Sequence, residues 1–358
     1  MAQAFRLRNL ETLQACPLCI ICAKPREAIT LAREFNLETK ISSDLVDGIP
    51  DGQRLDFHIG SFTLDNSSIP YYVTSPSRQG IQTFGIEAAT LFSILKPRYA
   101  LHVGVCAAIS GKNIRIGDVI FGERALNYEE GKWALQDGES AFKPDVKVVE
   151  VRGAAMDGFI AQADQPIYKY GDFVSGSAVR MDASSIFDRV QNTTLRNVAA
   201  LDMEASAFLQ AGDFTGVQCI GVIKGVSDMG DGKKGQANDK YYTTALCRAA
   251  RAAKSYVKYK LDKVPKAVLD YSREPGVVIT HGYFDDTIAR VMDKLEYAEY
   301  KIEVKVEGLR IVLPGKLQQE DPEEEDVECF NVASFSASDG ALASLIRNHG
   351  LQEITLKG

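Results

Sequence analysis

Three carboxylates in this 358-residue chain stand where their neighbours are apolar or small. Glu27 follows the apolar run PLCIICA in Ala23-Lys24-Pro25-Arg26-Glu27, where a strand should end and a helix begin. Glu204 lies in Leu201-Asp202-Met203-Glu204-Ala205-Ser206-Ala207, at the entry to a helix of small residues. Asp228 closes the hydrophobic run QCIGVIKGVSD, with Asp231 three residues further on. A fourth segment, His102-Val103-Gly104-Val105-Cys106-Ala107-Ala108, has small residues at a strand end that would let backbone N–H groups approach a ligand. Each feature has an ordinary explanation by itself. An acid suits the first turn of a helix, Asp202 can cap one, an Asp pair can brace a turn, and small residues allow close helix–sheet packing. Together they ask for more. Open α/β sheets bind ligands beyond the carboxyl ends of their strands. Three carboxylates at three such ends could activate a water, hold a diol and protonate a leaving group.

The elements that must position them alternate along residues 1–262. PLCIICA reads as a buried strand and Pro25 to Phe35 as a helix with proline near its first position. Strands around 54–74, a helix from Gly80 to Leu95 and the strand YALHVGVCAAI follow. GDVIFGERALNY is apolar and β-branched. Met203 to Ala211 reads as a helix, QCIGVIKGVSD as a strand and Tyr241 to Lys260 as a long helix. This alternation predicts an α/β fold of three layers, a twisted mixed sheet, mostly parallel, covered on both faces by helices. Prolines and polar residues in KLDKVPKAVLDYSREPG place a boundary near 262–275. Residues 263–358 then read β-α-β-β-β-α-β: GVVIT, a helix from Asp285 to Ala298, a hairpin of KIEVKVEG and RIVLPG, the acidic loop EDPEEEDVE, CFNVASF, a helix from Ser338 to Asn348, and EITLKG. That is a small α+β module suited to sensing, partner binding or oligomerisation.

Charge divides at the same place. Residues 1–262 carry 30 basic and 30 acidic side chains, whereas 263–358 carry 11 and 18 and so account for the whole net charge of −7. With neither part broadly basic, no large nucleic-acid footprint is expected. Cys16-x-x-Cys19-x-x-Cys22 has the look of a metal motif. However, strand alternation would send its thiols to different faces, and no second Cys or His pair is near. Seven cysteines, most of them in apolar runs, no secretory leader and no apolar run approaching 18 residues predict a cytoplasmic protein that is not in the membrane.

Three segments carry a family resemblance over residues 17–260. LDMEASAF resembles the (V/L)-(D/E)-M-E-A segment of the nucleoside phosphorylase/nucleosidase superfamily, GVIKGVSDMGD its strand ending in S-D-x-x-D, and VGVCAAISGKNIRIGDVIFGE its glycine-rich strand end running to G-D-V-(I/V). Methylthioadenosine/S-adenosylhomocysteine nucleosidases are the most similar branch. The resemblance implies hydrolysis of a purine N-glycosidic bond without metal or organic cofactor, in a homo-oligomer. It gives Glu204 the ribose hydroxyls, Met203 a packing role against the sugar, Asp228 the proton for N7 of the base, Ser227 the orientation of Asp228, and Glu27 the attacking water. Gly104 and Val105 would line the site.

Phosphorylases of this superfamily bind phosphate through an arginine at the first turn and a hydroxyl at the second strand end. Here those places hold Glu27 and Val105, and His102 stands for another arginine, which favours water over phosphate. The nucleosidase phenylalanine that stacks on the purine is missing. Ser175-Gly176-Ser177-Ala178-Val179-Arg180 aligns there, leaving backbone groups of Val179 and Arg180 to read the base and Phe173 as a substitute ring. Arg124, Lys132 and Lys233 are candidates for a 5′-phosphate chain, with solvated surface positions the competing explanation. G-K-W and the added module also resemble phosphorylase-like effectors of bacterial defence systems, some of which remove adenine from ATP. The alternatives are therefore a phosphate-dependent phosphorylase, an ATP or AMP nucleosidase effector, and a non-catalytic nucleotide-binding protein.

Overall fold

Small and β-branched residues between amphipathic helices build one large mixed sheet. The computed structural model describes residues 2–50, 54–64, 67–109, 113–136, 139–145, 147–151, 156–179, 182–191, 195, 197–231 and 238–263, together with four strands beyond them. The elements run α1 (Ala2–Gln14), β1 (Leu18–Ile21), α2 (Pro25–Phe35), β2 (Thr39–Ser42), β3 (Asp56–Leu64), β4 (Ser67–Thr74), α3 (Ile81–Leu95) and β5 (Tyr99–Ala108). Next come β6 (Val119–Gly122), β7 (Arg124–Asn127), β8 (Gly131–Gln136), β9 (Glu139–Pro144), β10 (Val148–Glu150), α4 (Met156–Ala163), β11 (Tyr168–Tyr170) and β12 (Asp172–Ser175). They end with α5 (Ser184–Gln191), β13 (Val198–Asp202), α6 (Ala205–Thr215), β14 (Gln218–Asp228) and α7 (Asn238–Asp262).

The sheet runs β10-β7-β12-β13-β5-β1-β4-β3-β2, with β14 joining β5 to β6 and β6 joining β11. The three-layer arrangement follows from strand alternation. In and just after β1, Cys19 and Ile21 enter one apolar cluster with α3 and α6, whereas Leu18, Ile20 and Cys22 enter another with α2 and α7. The three thiols of the Cys-x-x-Cys-x-x-Cys run are thereby split between two faces. GDVIFGERALNY holds two strands. β6 pairs with β14 and β11, and β7 with β12 and β10, so the chain changes place in the sheet at Glu123. The hairpin β8–β9, the short strands β10–β13 and helices α1, α4 and α5 are not among the elements expected from the sequence.

The direction of β13 matters most for the site. β5 is parallel to β1 over Tyr99–His102 and to β14 over Tyr99–Ala107, but β13 runs antiparallel to it, with Ala200 opposite Ala108 and Leu201 opposite Ala107. With β14 occupying one edge of β5, β1 and β13 must share the other. Among the described residues, no strand pairs with that second edge over Val103–Cys106.

The chain divides into two compact units, Met1–Asp270 and Tyr271–Gly358. In the second unit β15 (Lys301–Val306), β16 (Leu309–Val312), β17 (Val327–Asn331) and β18 (Leu351–Lys357) form an antiparallel sheet of order β16-β15-β18-β17. They match the expected hairpin, CFNVASF and the last strand. GVVIT, the two expected helices and most of the acidic loop lie outside the described residues.

Candidate active site

The chain enters the gap in the β5 edge from both ends. β1 leads into the turn that carries Glu27, and antiparallel β13 leads back towards Gly104 with Asp202 and Glu204. β14, on the opposite edge, places Lys224 beside Gly104. Space is tight at Gly104: a Cβ would stand 3.1 Å from Glu27 Oε2 and 3.1 Å from Lys224 Nζ, so both side chains would have to give way slightly.

Glu27 is buried in the first turn of α2, behind Pro25 at the helix start. Its Oε2 accepts the Ala23 N–H at 3.0 Å, and its Oε1 accepts a short hydrogen bond from the Tyr242 hydroxyl on α7. Both oxygens are thus fixed by elements from opposite ends of the unit.

Asp202 and Glu204 share one cation. Lys224 is wholly buried, its Nζ 3.2 Å from Asp202 Oδ2 and 3.6 Å from Glu204 Oε2. Burial works against the ammonium, but Asp202, Glu204 and Glu27 together outweigh it and hold its pKa above the ordinary lysine value. Burial also pushes Glu204 up to about 7 against the pull of Lys224, with Asp202 and Glu27 adding to the rise. Asp202 caps α6 as well, accepting the Ala205 N–H at 3.0 Å and the Ser175 hydroxyl at 2.7 Å. Glu204 Oε1 accepts the Gly80 N–H at 3.0 Å, where a φ of +109° suits glycine.

His102 completes the floor. Its Nδ1 lies 2.8 Å from the Ile21 carbonyl, which can only accept, so Nδ1 carries the proton. Burial, then the Lys224 charge, holds the imidazole well below its usual range, so the ring is neutral. Donor atoms of His102, Asp202 and Glu204 lie within 4.8 Å of one another, a spacing that could hold a metal ion. The Lys224 ammonium already stands against both carboxylates there and balances one of their two charges.

Asp228 closes β14, four residues beyond Lys224. The Ser227 hydroxyl lies 3.1 Å from Asp228 Oδ2 and 3.2 Å from the Cys106 carbonyl, and the Gly230 N–H donates to Asp228 Oδ1 at 3.1 Å. Met203 is half-buried, its sulfur 3.6 Å from Gln79 Nε2. Val105 is half-buried beside Gly225 of β14, and Val179 is exposed after β12.

Other candidates are placed elsewhere. Phe173 is fully buried in the core, edging so close to Gly122 that a Cβ there would meet its ring at 2.5 Å, which leaves no face for a purine. Arg124 is taken by Asp172, Nε to Oδ1 at 3.0 Å and Nη2 to Oδ2 at 2.9 Å, so its fork is already filled by a buried carboxylate. Lys132 is exposed on the β8–β9 hairpin. Arg180 and Lys233 lie outside the described residues. Lys224 and Tyr242 went unnoticed in the sequence. A signal for Lys224 existed: it is the lone cation inside the apolar run QCIGVIKGV, and a buried lysine requires a partner. Tyr242 had none.

Comparison with known proteins fixes the family. The model of the phosphorylase superfamily matches residues 17–258. The chain belongs to the phosphorylase superfamily. Among solved members of this fold, 5′-methylthioadenosine/S-adenosyl homocysteine nucleosidase of Helicobacter pylori is 18% identical with a TM-score of 0.53, over 68% of this chain and 97% of that one. Futalosine hydrolase of Helicobacter pylori strain 26695 is 18% identical with a TM-score of 0.54 over the same shares. A death domain-containing ATP nucleosidase of Amphimedon queenslandica is 28% identical over 231 residues, covering 58% of this chain. The match spans 42% of that relative's length. Among the described residues, no helix is long and apolar enough to cross a membrane.

Proposed function

We infer that this phosphorylase-superfamily unit hydrolyses the N-glycosidic bond of a purine nucleoside or nucleotide, with water as the nucleophile. The observation that carries the reading is Glu27: a buried carboxylate, fixed at both oxygens, at the turn where a phosphate-using enzyme needs a cation. A carboxylate there repels phosphate and accepts a proton from water. Val105 offers no hydroxyl and neutral His102 no charge, so neither makes good the missing phosphate ligands. Glu204 accepts the 2′- and 3′-hydroxyls and Met203 packs on the sugar. Asp228, oriented by Ser227, protonates the purine as the sugar becomes oxocarbenium-like. Backbone groups near Val179 and Arg180 read the base.

An ATP nucleosidase among the relatives supports a 5′-phosphorylated substrate, and the reading extends to a nucleotide-depleting effector, including in antiviral defence. The reading further includes a cytoplasmic homo-oligomer, with residues 263–358 as a separate module that senses a signal or binds a partner. Purified protein incubated with methylthioadenosine, adenosine, AMP and ATP, with and without phosphate, decides among these. Adenine released from ATP without phosphate identifies the nucleotide hydrolase, and adenine from methylthioadenosine the nucleoside hydrolase. Release that requires phosphate overturns the role of Glu27.

A further inference from the structure

We propose that Tyr242 is a positioning residue for Glu27: its hydroxyl, supplied by α7, sets the carboxylate that activates water. This rests on the hydrolase reading above and adds a residue that neither the resemblance nor the sequence pattern assigns.

The geometry is specific. Glu27 and Tyr242 are 215 residues apart in sequence, yet the phenol donates to Oε1 while the Ala23 N–H donates to Oε2. Two donors from independent elements define the carboxylate plane, and each oxygen keeps a lone pair for a water. α7 has no freedom to drift away. It lies so close on β14 that a Cβ at Gly225 would stand 2.1 Å from the Ala245 carbonyl oxygen. Farther along α7, the buried Tyr256 hydroxyl donates to the Ile220 carbonyl of β14 at 2.7 Å. Lys24 Nζ lies 4.8 Å and Arg26 Cζ 5.7 Å from the Tyr242 ring centre, so cations from the Glu27 turn bracket the ring. Burial, then the Glu27 charge, pushes the phenol far above the ordinary tyrosine range. It therefore stays protonated and donates. The backbone N–H alone would leave the carboxylate free to rotate about its terminal torsion, and misplacement of a reacting group by about 1 Å can cost about 10²-fold in rate.

The test is Tyr242→Phe in the full chain, which keeps the ring and its packing. Base release from the preferred nucleoside should lose about 10- to 100-fold in kcat with KM within about twofold. In a Glu27→Gln background the same change should cost nothing further, because the two residues act as one unit. Independent, additive losses would overturn the proposal, as would an unchanged kcat, or a rise in KM that accounts for the whole loss. A second readout needs no turnover. In protein labelled with 13C at glutamate carboxyls, the Glu27 resonance, identified by its disappearance in Glu27→Gln, should move in Tyr242→Phe; an unmoved resonance overturns the contact. Wild-type protein that releases no base from any nucleoside defeats the hydrolase reading instead, and the resonance still decides whether Tyr242 holds Glu27.

Discussion

Two buried ion pairs in the same unit obey opposite rules. Arg124 and Asp172 meet fork to fork at 3.0 and 2.9 Å, one cation for one carboxylate, with Arg124 half in solvent. Both Asp172 oxygens and the Nε–Nη2 edge of the guanidinium are engaged in that pair. Lys224 is wholly buried and serves Asp202 and Glu204 at 3.2 and 3.6 Å, with Glu27 adding to the same field. Two carboxylates for one ammonium, at longer contacts, leave acceptor capacity unfilled. The first pair fastens two strands; the second is a cluster with more carboxylate than cation. This contrast explains why Arg124, a candidate phosphate contact by sequence, ties β7 to β12 while the unnoticed Lys224 sits in the site.

The widest separation of the two regions comes from the carboxylates themselves. Glu27→Gln or Asp228→Asn should lower kcat by about 10²- to 10⁴-fold and leave the melting temperature nearly unchanged. Near-normal turnover in either variant would remove that residue from the mechanism. Lys224→Met should be costly in a different way, losing about 3–5 kcal/mol because Asp202 and Glu204 stay buried without their cation. Denaturant titration measures this, and a loss below about 1 kcal/mol would show that the cluster is already well hydrated. Arg124→Lys should cost only about 1–2 kcal/mol for the lost bidentate geometry and leave KM for ATP unchanged; a selective rise in that KM would return Arg124 to the site.

The mildest effect concerns pH. With Glu204 raised to about 7, a falling pH neutralises it and, in the proposed role, weakens its acceptance of the ribose hydroxyls. KM should therefore climb by up to about tenfold per pH unit below that value, and Glu204→Gln should flatten the profile. The sign for stability is the reverse. The folded state holds this proton more tightly than the unfolded chain, so Glu204 contributes less stability as pH rises from the ordinary carboxylate range towards 7. A KM independent of pH from 5 to 8 would separate Glu204 from the diol.

How far the sequence reaches can be judged residue by residue. The helix Pro25–Phe35 is legible to the residue, because Pro25 marks its start and apolar positions recur along it. Long α7 and strands β5 and β14 are equally plain, since each must satisfy a strong local periodicity. Short β10 to β13 are not, because three- to five-residue strands gain their stability from partners and not from their own pattern. Phe173 shows the same limit at the site. An aromatic ring near a motif in sequence gives no information about facing, and β12 turns this one into the core.

Local chemistry therefore determined which residues could react. Glu27, Glu204 and Asp228 are marked by being acids at the ends of apolar runs, and a mostly buried sheet tolerates such acids only with partners or a purpose. What brings Glu27 and Glu204 to the same lysine is a pairing decision that no local pattern encodes. β13 runs antiparallel to β5 and turns Glu204 back towards Gly104, and α7 packs on β14 to deliver Tyr242 to a glutamate 215 residues away. Those contacts depend on strand direction and helix packing across the whole unit, so only the tertiary structure could decide them.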